Sequence, residues 1–300
     1  MNLVRPRVST WFLVAAVFGG FWLCSLRERE EAYEASLAHR LLGPASEVAA
    51  AWQWVRVRSA MDDARMDTAY ARAEFALDLA PRSTDGWSFL ASKLAFDRAS
   101  PYQQKNPELR TRWTQAALDL LLRGQEVAEH PEQLALTRGL VLVNVGDSEG
   151  AIPWEGGQAG AWQAAQLAFE EASDLDPGAT EAWAQRAANL CLRLAAPQLE
   201  PDVEARLAAL GAAFELLDEG ARVVRDAGPL HFQKGLFAGF VGESADGAHW
   251  PGGRQELFKL AVSAFQRAQD LEFPLAKVAK EEAQEALDEA LSIEPSKLPE

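Results

Sequence analysis

Val145-Gly-Asp-Ser148, followed by Trp154-Glu-Gly-Gly157, occurs a second time in the chain as Val241-Gly-Glu-Ser244 followed by Trp250-Pro-Gly-Gly253. The displacement is 96 residues at every matched position. Carried outward, the same displacement aligns Leu94 with Leu190, Leu120 with Leu216, Gly124 with Gly220, Val127 with Val223, Gly139 with Gly235 and Leu140 with Leu236. Most of the chain is therefore a tandem duplication, about 69–164 and 165–260. Stacked units that bury their faces against their neighbours are the usual meaning of such self-similarity.

Composition sets the class. Hydrophobic residues make up 48% of the 300, enough for a core. Ala and Leu dominate, and the Val/Ile/Thr-rich alternation of strands is scarce, so the chain reads as all-α. The net charge of −15 opposes binding to nucleic acid or anionic lipid, which Lys and Arg clusters drive. Two cysteines, Cys24 and Cys191, are too few for a disulfide framework and read as free thiols.

Periodicity predicts four helices per unit. The first four run over Asp85–Asp97, Pro107–Glu129, Glu132–Val145 and Ala159–Leu175. Their copies run over Glu181–Leu194, Val203–Asp226, Leu230–Val241 and Arg254–Leu271. Ahead of them Ser46 is placed to N-cap a helix reaching about Ala60. Leu275–Ile293 is the expected capping helix, with a polar outer face.

A finer pattern runs through the last helix of each unit. Ala165, Phe169, Ala172, Leu175 and Pro177 return as Ala261, Phe265, Ala268 and Leu271, with Pro274 one place late. Ala69, Ala76, Leu79 and Pro81 precede them, and Ala283, Leu287, Ala290 and Pro295 follow out of phase. Small residues let a neighbouring helix approach, the aromatic fills the gap, and Pro ends the helix. Trp87 and Trp183 each follow such a Pro by six residues. The pattern resembles the tetratricopeptide (TPR) repeat family, with an irregular unit in place of that family's 34 residues. The resemblance implies a TPR-like α-solenoid of helical hairpins over 67–295, with a tail at 296–300.

The N-terminus carries a different signal. Val8 to Leu26 is mostly apolar, flanked by Arg5 and Arg7 before it and Arg27 and Arg29 after it. A spanning helix needs about 20 apolar residues, with roughly 17 as the lower bound. The bulky stretch Phe21-Trp-Leu-Cys-Ser-Leu26 offers no small-x-small cleavage site. The expectation is a single transmembrane anchor over 1–27 with its N-terminus cytoplasmic and the solenoid extracytoplasmic. Residues 28–66 would form a stalk and first helices.

Six residues are candidates for partner binding. Trp154 and Trp250 sit in Gly-rich loops where helical periodicity does not require them, and Trp anchors dominate many interfaces. Asp147 and Glu243 lie in the same loops, beside Gly146 and Gly242, which are placed as helix-terminal glycines with positive φ. Arg138 and Lys234 keep a cation beside Gly139 and Gly235. The competing reading makes the loop tryptophans covers for the seam between helix pairs, with Gly-Gly allowing a tight turn into the next helix. Recurrence in both units favours that reading, because a structural role must recur and a binding role need not. For Arg138 and Lys234 the competing reading is a solvated helix face.

No catalytic constellation emerges. The four histidines, His39, His130, His231 and His249, have no ligand partner one helical turn away, so no metal site is expected. Gly156-Gly157 does not follow a strand and is no phosphate loop. The expected function is a membrane-tethered, non-enzymatic scaffold, without cofactor, that holds a protein or peptide. The alternatives are an extracytoplasmic binder of a small ligand or peptide through the Trp-x-Gly-Gly loops, an enzyme whose residues assemble only in three dimensions, and a self-associating assembly subunit.

Overall fold

The computed structural model describes residues 42–43, 45–148, 151–197 and 199–292. The expected anchor at 1–27, most of the stalk and the tail lie outside the described residues. What is described is all-helical: eleven α-helices packed in sequence order. They are α1 Ala45–Asp62, α2 Met66–Leu79, α3 Thr84–Ser92, α4 Pro107–Gln125, α5 Pro131–Asp147, α6 Gly157–Leu175, α7 Thr180–Asn189, α8 Val203–Val223, α9 Gly228–Glu243, α10 Gly253–Asp270 and α11 Ala276–Ser292. Among the described residues no helix is long and apolar enough to cross a membrane.

Helices α7–α10 repeat α3–α6, and the body of α6 in turn repeats α2. The copying reaches hydrogen bonds that no pattern of hydrophobicity encodes. Trp87 Nε1 donates to the Pro81 carbonyl at 2.7 Å, and Trp183 Nε1 to the Pro177 carbonyl at 2.9 Å. Each Trp thus caps the chain leaving the preceding helix while its rings enter the core. Asn106 accepts from the Glu108 amide at 2.9 Å and Asp202 from the Glu204 amide at 3.1 Å, so α4 and α8 share one N-cap. The C-terminal turns after α3 and α7 both widen to π geometry, closed by Ala99 N–H to the Leu94 carbonyl and Ala195 N–H to the Leu190 carbonyl, each at 2.9 Å.

The tightest pairs are α1 with α2, α5 with α6, and α9 with α10. In the last two pairs the close approach is a ring laid on glycine backbone. A Cβ at Gly139 would collide with the Phe169 ring, and one at Gly235 would stand 2.5 Å from Cε1 of Phe265. At the neighbouring seam, a Cβ on Gly124 would meet Trp87 Cγ at 2.8 Å, and one on Gly220 would meet Trp183 Cγ at 2.7 Å. Both phenylalanines and both tryptophans are buried. With no side chain on the facing helix, the ring fills the space that would otherwise hold the helices apart.

Two of the sequence expectations need correction here. Gly146 and Gly242 do not end their helices in a left-handed turn; α5 and α9 run one residue past them, and both glycines are buried. Trp162 lies against Gly146, and Phe258 against Gly242, so these glycines too serve close approach. The positive φ values fall instead at Gly156 and Gly157 (75° and 63°) and at Gly252 and Gly253 (85° and 69°), which turn the chain into α6 and α10. Only glycine takes such angles without strain. Second, α1 begins at Ala45, so Ser46 is buried within the first turn instead of capping it.

The core is divided like the sequence. One apolar cluster spans α1–α6 and a second spans α7–α11. Between them Ala135, Ala172 and Ala182 make a small-residue contact. Leu136 and Ala179 pack against that contact, and polar pairs flank it. Arg186 pairs with Glu170 at 2.7 Å, Asn189 Nδ2 donates to the Trp162 carbonyl and to Gln166, and Arg193 grips Asp147 at 2.8 and 3.0 Å. Helix α11 packs on α10, with Ala283 and Leu287 inward and Glu281, Glu282, Glu285, Asp288 and Glu289 outward.

Gly139→Ala adds a methyl where the ring of a fully buried Phe169 already sits. Overpacking of this kind costs about 1–3 kcal/mol, against a helix-propensity gain of at most about 1 kcal/mol. Chemical denaturation of Gly139→Ala will therefore show a net loss of stability, and Phe169→Leu in the same chain will restore part of it.

Candidate functional site

The sequence-derived candidates divide by environment. Trp154 is half-buried and packs on the first core together with Ile152. Trp250 is half-buried and meets Phe214 edge-on, with ring centroids 5.5 Å apart at 77°. Neither stands free of the body. Asp147 accepts from Trp162 Nε1 at 3.0 Å and carries the Arg193 pair, so it ties the two units together. Glu243 is exposed. Arg138 bonds Gln125 at 2.8 Å and ion-pairs with Glu171, while Lys234 is buried and pairs with Asp218 at 2.6 Å. These two cations are therefore neither a solvated face nor free charges on offer to a partner. Cys191 is buried, and that burial pushes its thiol up to about 12, which leaves it protonated and unreactive.

The informative site was not on the sequence-derived roster. It lies where α4, or α8 in the copy, meets the loop that precedes the next helix. In the second unit Arg206 is buried on α8 and its guanidinium is fully engaged. Nε and Nη2 clamp the Asp246 carboxylate at 2.9 and 2.6 Å, and Nη1 donates to the Glu200 and Pro201 carbonyls at 2.9 and 3.0 Å. Asp246 belongs to a short 3-10 turn, Ala245–His249, that leads to Trp250. The guanidinium hydrogen bond holds the Asp246 carboxyl below the ordinary carboxylate range.

The first unit has the same arginine without its acid. Arg110 stands at the position of Arg206 and is equally buried, at 8% against 7% exposed. In the sequence Gly150 stands where Asp246 does. Arg110 Nε is buried without a hydrogen-bond partner. One turn along the same face of α4 is Thr114, 2% exposed, with Oγ1 also unpartnered. Its counterpart is the buried Leu210, and Leu118 takes the place of Phe214, on which Trp250 packs. Thr114 also lines a cavity of about 240 Å³, together with Thr111, Gln115, Ile152, Pro153, Trp154 and Glu155.

A second opening, of about 300 Å³, lies between α2, α3 and α4 in the first unit. Tyr70, Leu90, Leu94, Trp113 and Leu120 form its apolar lining, with Glu74, Asp119 and Arg123 adding charge. The Arg98 guanidinium lies 5.6 Å from the Tyr70 ring and 5.3 Å from that of Trp113, within range of attraction to both faces. Burial pushes the Tyr70 phenol up from its ordinary value, so it stays a neutral donor. At the matching place in the second unit Gln166 replaces Tyr70, Ala209 replaces Trp113, and Arg186, ion-paired with Glu170, replaces Leu90.

Among the described residues no group of three or more His, Cys, Asp or Glu is placed to hold a metal ion. No protein-family model matches the chain, and no curated protein matches it.

The two arginines predict opposite responses to one substitution. Removing Arg206 strands a carboxylate that is only 14% exposed, so Arg206→Met lowers the melting temperature by several degrees. Removing Arg110 deletes a buried charge that has no described partner, so Arg110→Met leaves the melting temperature unchanged or raises it. The Asp246 pair also sets a pH dependence. A carboxyl depressed in the folded state stabilises fully above its unfolded pKa of about 3.9, and that stability is lost as pH falls through the lower folded value. The gap in melting temperature between the native chain and Asp246→Asn is therefore full at pH 7 and closes below about pH 4.

Proposed function

We propose that this chain is a non-catalytic helical scaffold of TPR-like hairpins that holds a protein or peptide, with its first unit as the ligand-bearing half. In this reading residues 1–27 tether the array to a membrane and the helices face away from the cytoplasm. A solenoid's extended surface is its usual working surface, and the resemblance of the α2, α6 and α10 sequences to tetratricopeptide helices carries the same implication. The acidic balance of the chain favours a partner with a neutral or basic face.

One observation carries the assignment of the binding half. The groove between α2, α3 and α4 presents two aromatic rings, three leucines and separated charges of both signs. The copy of that position in the second unit has traded its aromatics for Gln166 and Ala209 and given its centre to an internal ion pair. An apolar floor with a few placed polar groups is what a peptide side chain requires of a docking site. The backbone frame is common to both units, so the difference lies in what the side chains leave open.

A second reading has its own support. The cavity beside Trp154 has convergent polar groups and is smaller than the roughly 300 Å³ at which pockets for drug-sized molecules begin. It fits one side-chain-sized group, so it extends the peptide-binding reading more readily than it replaces it.

Photo-crosslinking tests the proposal. A benzoylphenylalanine placed at Trp113 in the full chain, activated in the native cell, is expected to yield a discrete crosslinked partner. The same probe at Ala209, the matching position of the second unit, is expected to yield none. Equal products from both positions, or none from Trp113, would count against a binding role for this groove.

A further inference from the structure

The first and last described helices present opposite outer faces. Helix α11, the last, turns acids outward. Helix α1, the first, turns out an apolar stripe: Val48, Trp52 and Val55 are 73%, 62% and 59% exposed. We propose that this stripe is covered by the chain's own residues 28–41, folded back antiparallel on α1 through the turn at Gly43. Those residues lie outside the described part of the structure.

Helix α1 is apolar on two sides. On its inner side Ala50, Val57 and Ala60 are buried, and α2 packs against it. Trp54, also inward, meets Phe89 edge-on with ring centroids 5.7 Å apart. Val48, Trp52 and Val55 follow the i, i+4, i+7 spacing that puts them on one face. At about 100° per residue that face is opposite the inner one. A helix with apolar residues on both sides is suited to being packed on both. Single exposed apolar residues are ordinary, but a stripe of three centred on a Trp marks a contact surface. The first helix of a stacked array needs such a contact, because its outer face has no neighbouring unit.

The turn ahead of α1 has the geometry of a helical hairpin. Leu42 is helical, and Gly43 follows it with φ of 52°, the left-handed conformation in which helices commonly end. Pro44 comes next, where a helix cannot simply continue. The Ser46 amide then donates to the Gly43 carbonyl at 2.9 Å, so α1 starts at once. A connection this short between helical residues sends the chain back alongside itself.

The sequence of 28–41 matches what α1 presents. Tyr33, Leu37 and Leu41 recur every fourth residue, the spacing of one helical stripe, with Ala32, Ala35 and Ala38 between them. As a helix the segment would be about 21 Å long. Folded about Gly43 and Pro44, residues 32–39 come level with 48–55, the length of the exposed stripe. The charges agree with the same direction. Glu28, Glu30, Glu31 and Glu34 come towards the end of α1 that carries the exposed Arg56 and Arg58, and Arg40 comes level with the exposed Glu47. A second copy or a lipid surface competes at a disadvantage, because a segment joined by so short a linker acts at an effective concentration of order millimolar. The packing is independent of what the array binds. Its consequence rests on the membrane reading of 1–27: the array is then held close to its anchor instead of hanging from a free stalk.

The test uses the full 300-residue chain in detergent micelles, with benzoylphenylalanine in place of Trp52. Irradiation and peptide mapping by mass spectrometry are expected to join position 52 to a peptide from 28–41, in a product that runs as a monomer after denaturation. A crosslinked dimer would assign the stripe to a second copy, and an adduct with detergent or lipid alone would assign it to a membrane surface. Either result, or no adduct to 28–41, overturns the proposal. Hydrogen exchange gives a second reading that does not depend on the probe. Amides of 32–41 are expected to be protected in the native chain, and Trp52→Asp to speed their exchange by about tenfold or more while α5–α10 keep their native rates. Unprotected amides at 32–41 in the native chain, or protection unchanged by Trp52→Asp, would equally overturn it. The Trp113 crosslink to a partner does not require this contact, so the packing and the scaffold reading can fail separately.

Discussion

Aromatic rings resting on bare glycine backbone set the spacing of this array. Phe169 lies on Gly139, Phe265 on Gly235, Trp87 on Gly124 and Trp183 on Gly220. Each contact needs two things from the sequence, an aromatic on one helix and the absence of a Cβ on the next. The interior is close-packed, so no simple relaxation accommodates a methyl at those points. With the spacing fixed, the Trp-to-Pro carbonyl bonds, the shared N-caps and the π-turns fall at matching places in both units.

A frame held this firmly lets other positions differ without cost to the fold, and those differences are where function is to be sought. Arg138 and Lys234 show the neutral kind. The cation recurs but its acid does not: Glu171 serves the first and Asp218 the second, from different helices. Both pairs end satisfied. Arg110 and Arg206 show the other kind, because one is clamped and the other has an unpartnered Nε. The polar contacts of Arg186, Asn189 and Arg193 join the two halves across the seam, and each core stays separate.

Much of the helix layout was legible in the sequence because recurrence is a strong signal. The 96-residue displacement placed eight helices to within a few residues, and Trp87 and Trp183 stand six residues after a Pro in both copies. The role of Gly146 and Gly242 was not legible. A glycine near a helix end reads as a left-handed cap, and nothing local shows that Trp162 or Phe258, sixteen residues on, needs the space. The loop tryptophans drew attention as large residues in glycine-rich loops, yet both turn inward. The surroundings of Arg110 and Thr114 are not legible from what the copies share, since recurrence marks only common positions. A signal was present in what they do not share: one acid missing, one hydroxyl gained, one ring lost, all around one arginine.

The glycine–aromatic contacts that set the helix spacing recur in both units. A crystal structure of Gly139→Ala beside that of the native chain tests their role most directly. Helices α5 and α6 are expected to stand further apart at the Phe169 contact in the variant, with α9 and α10 unchanged. An α5–α6 pair that takes up the methyl at its native spacing would contradict that role.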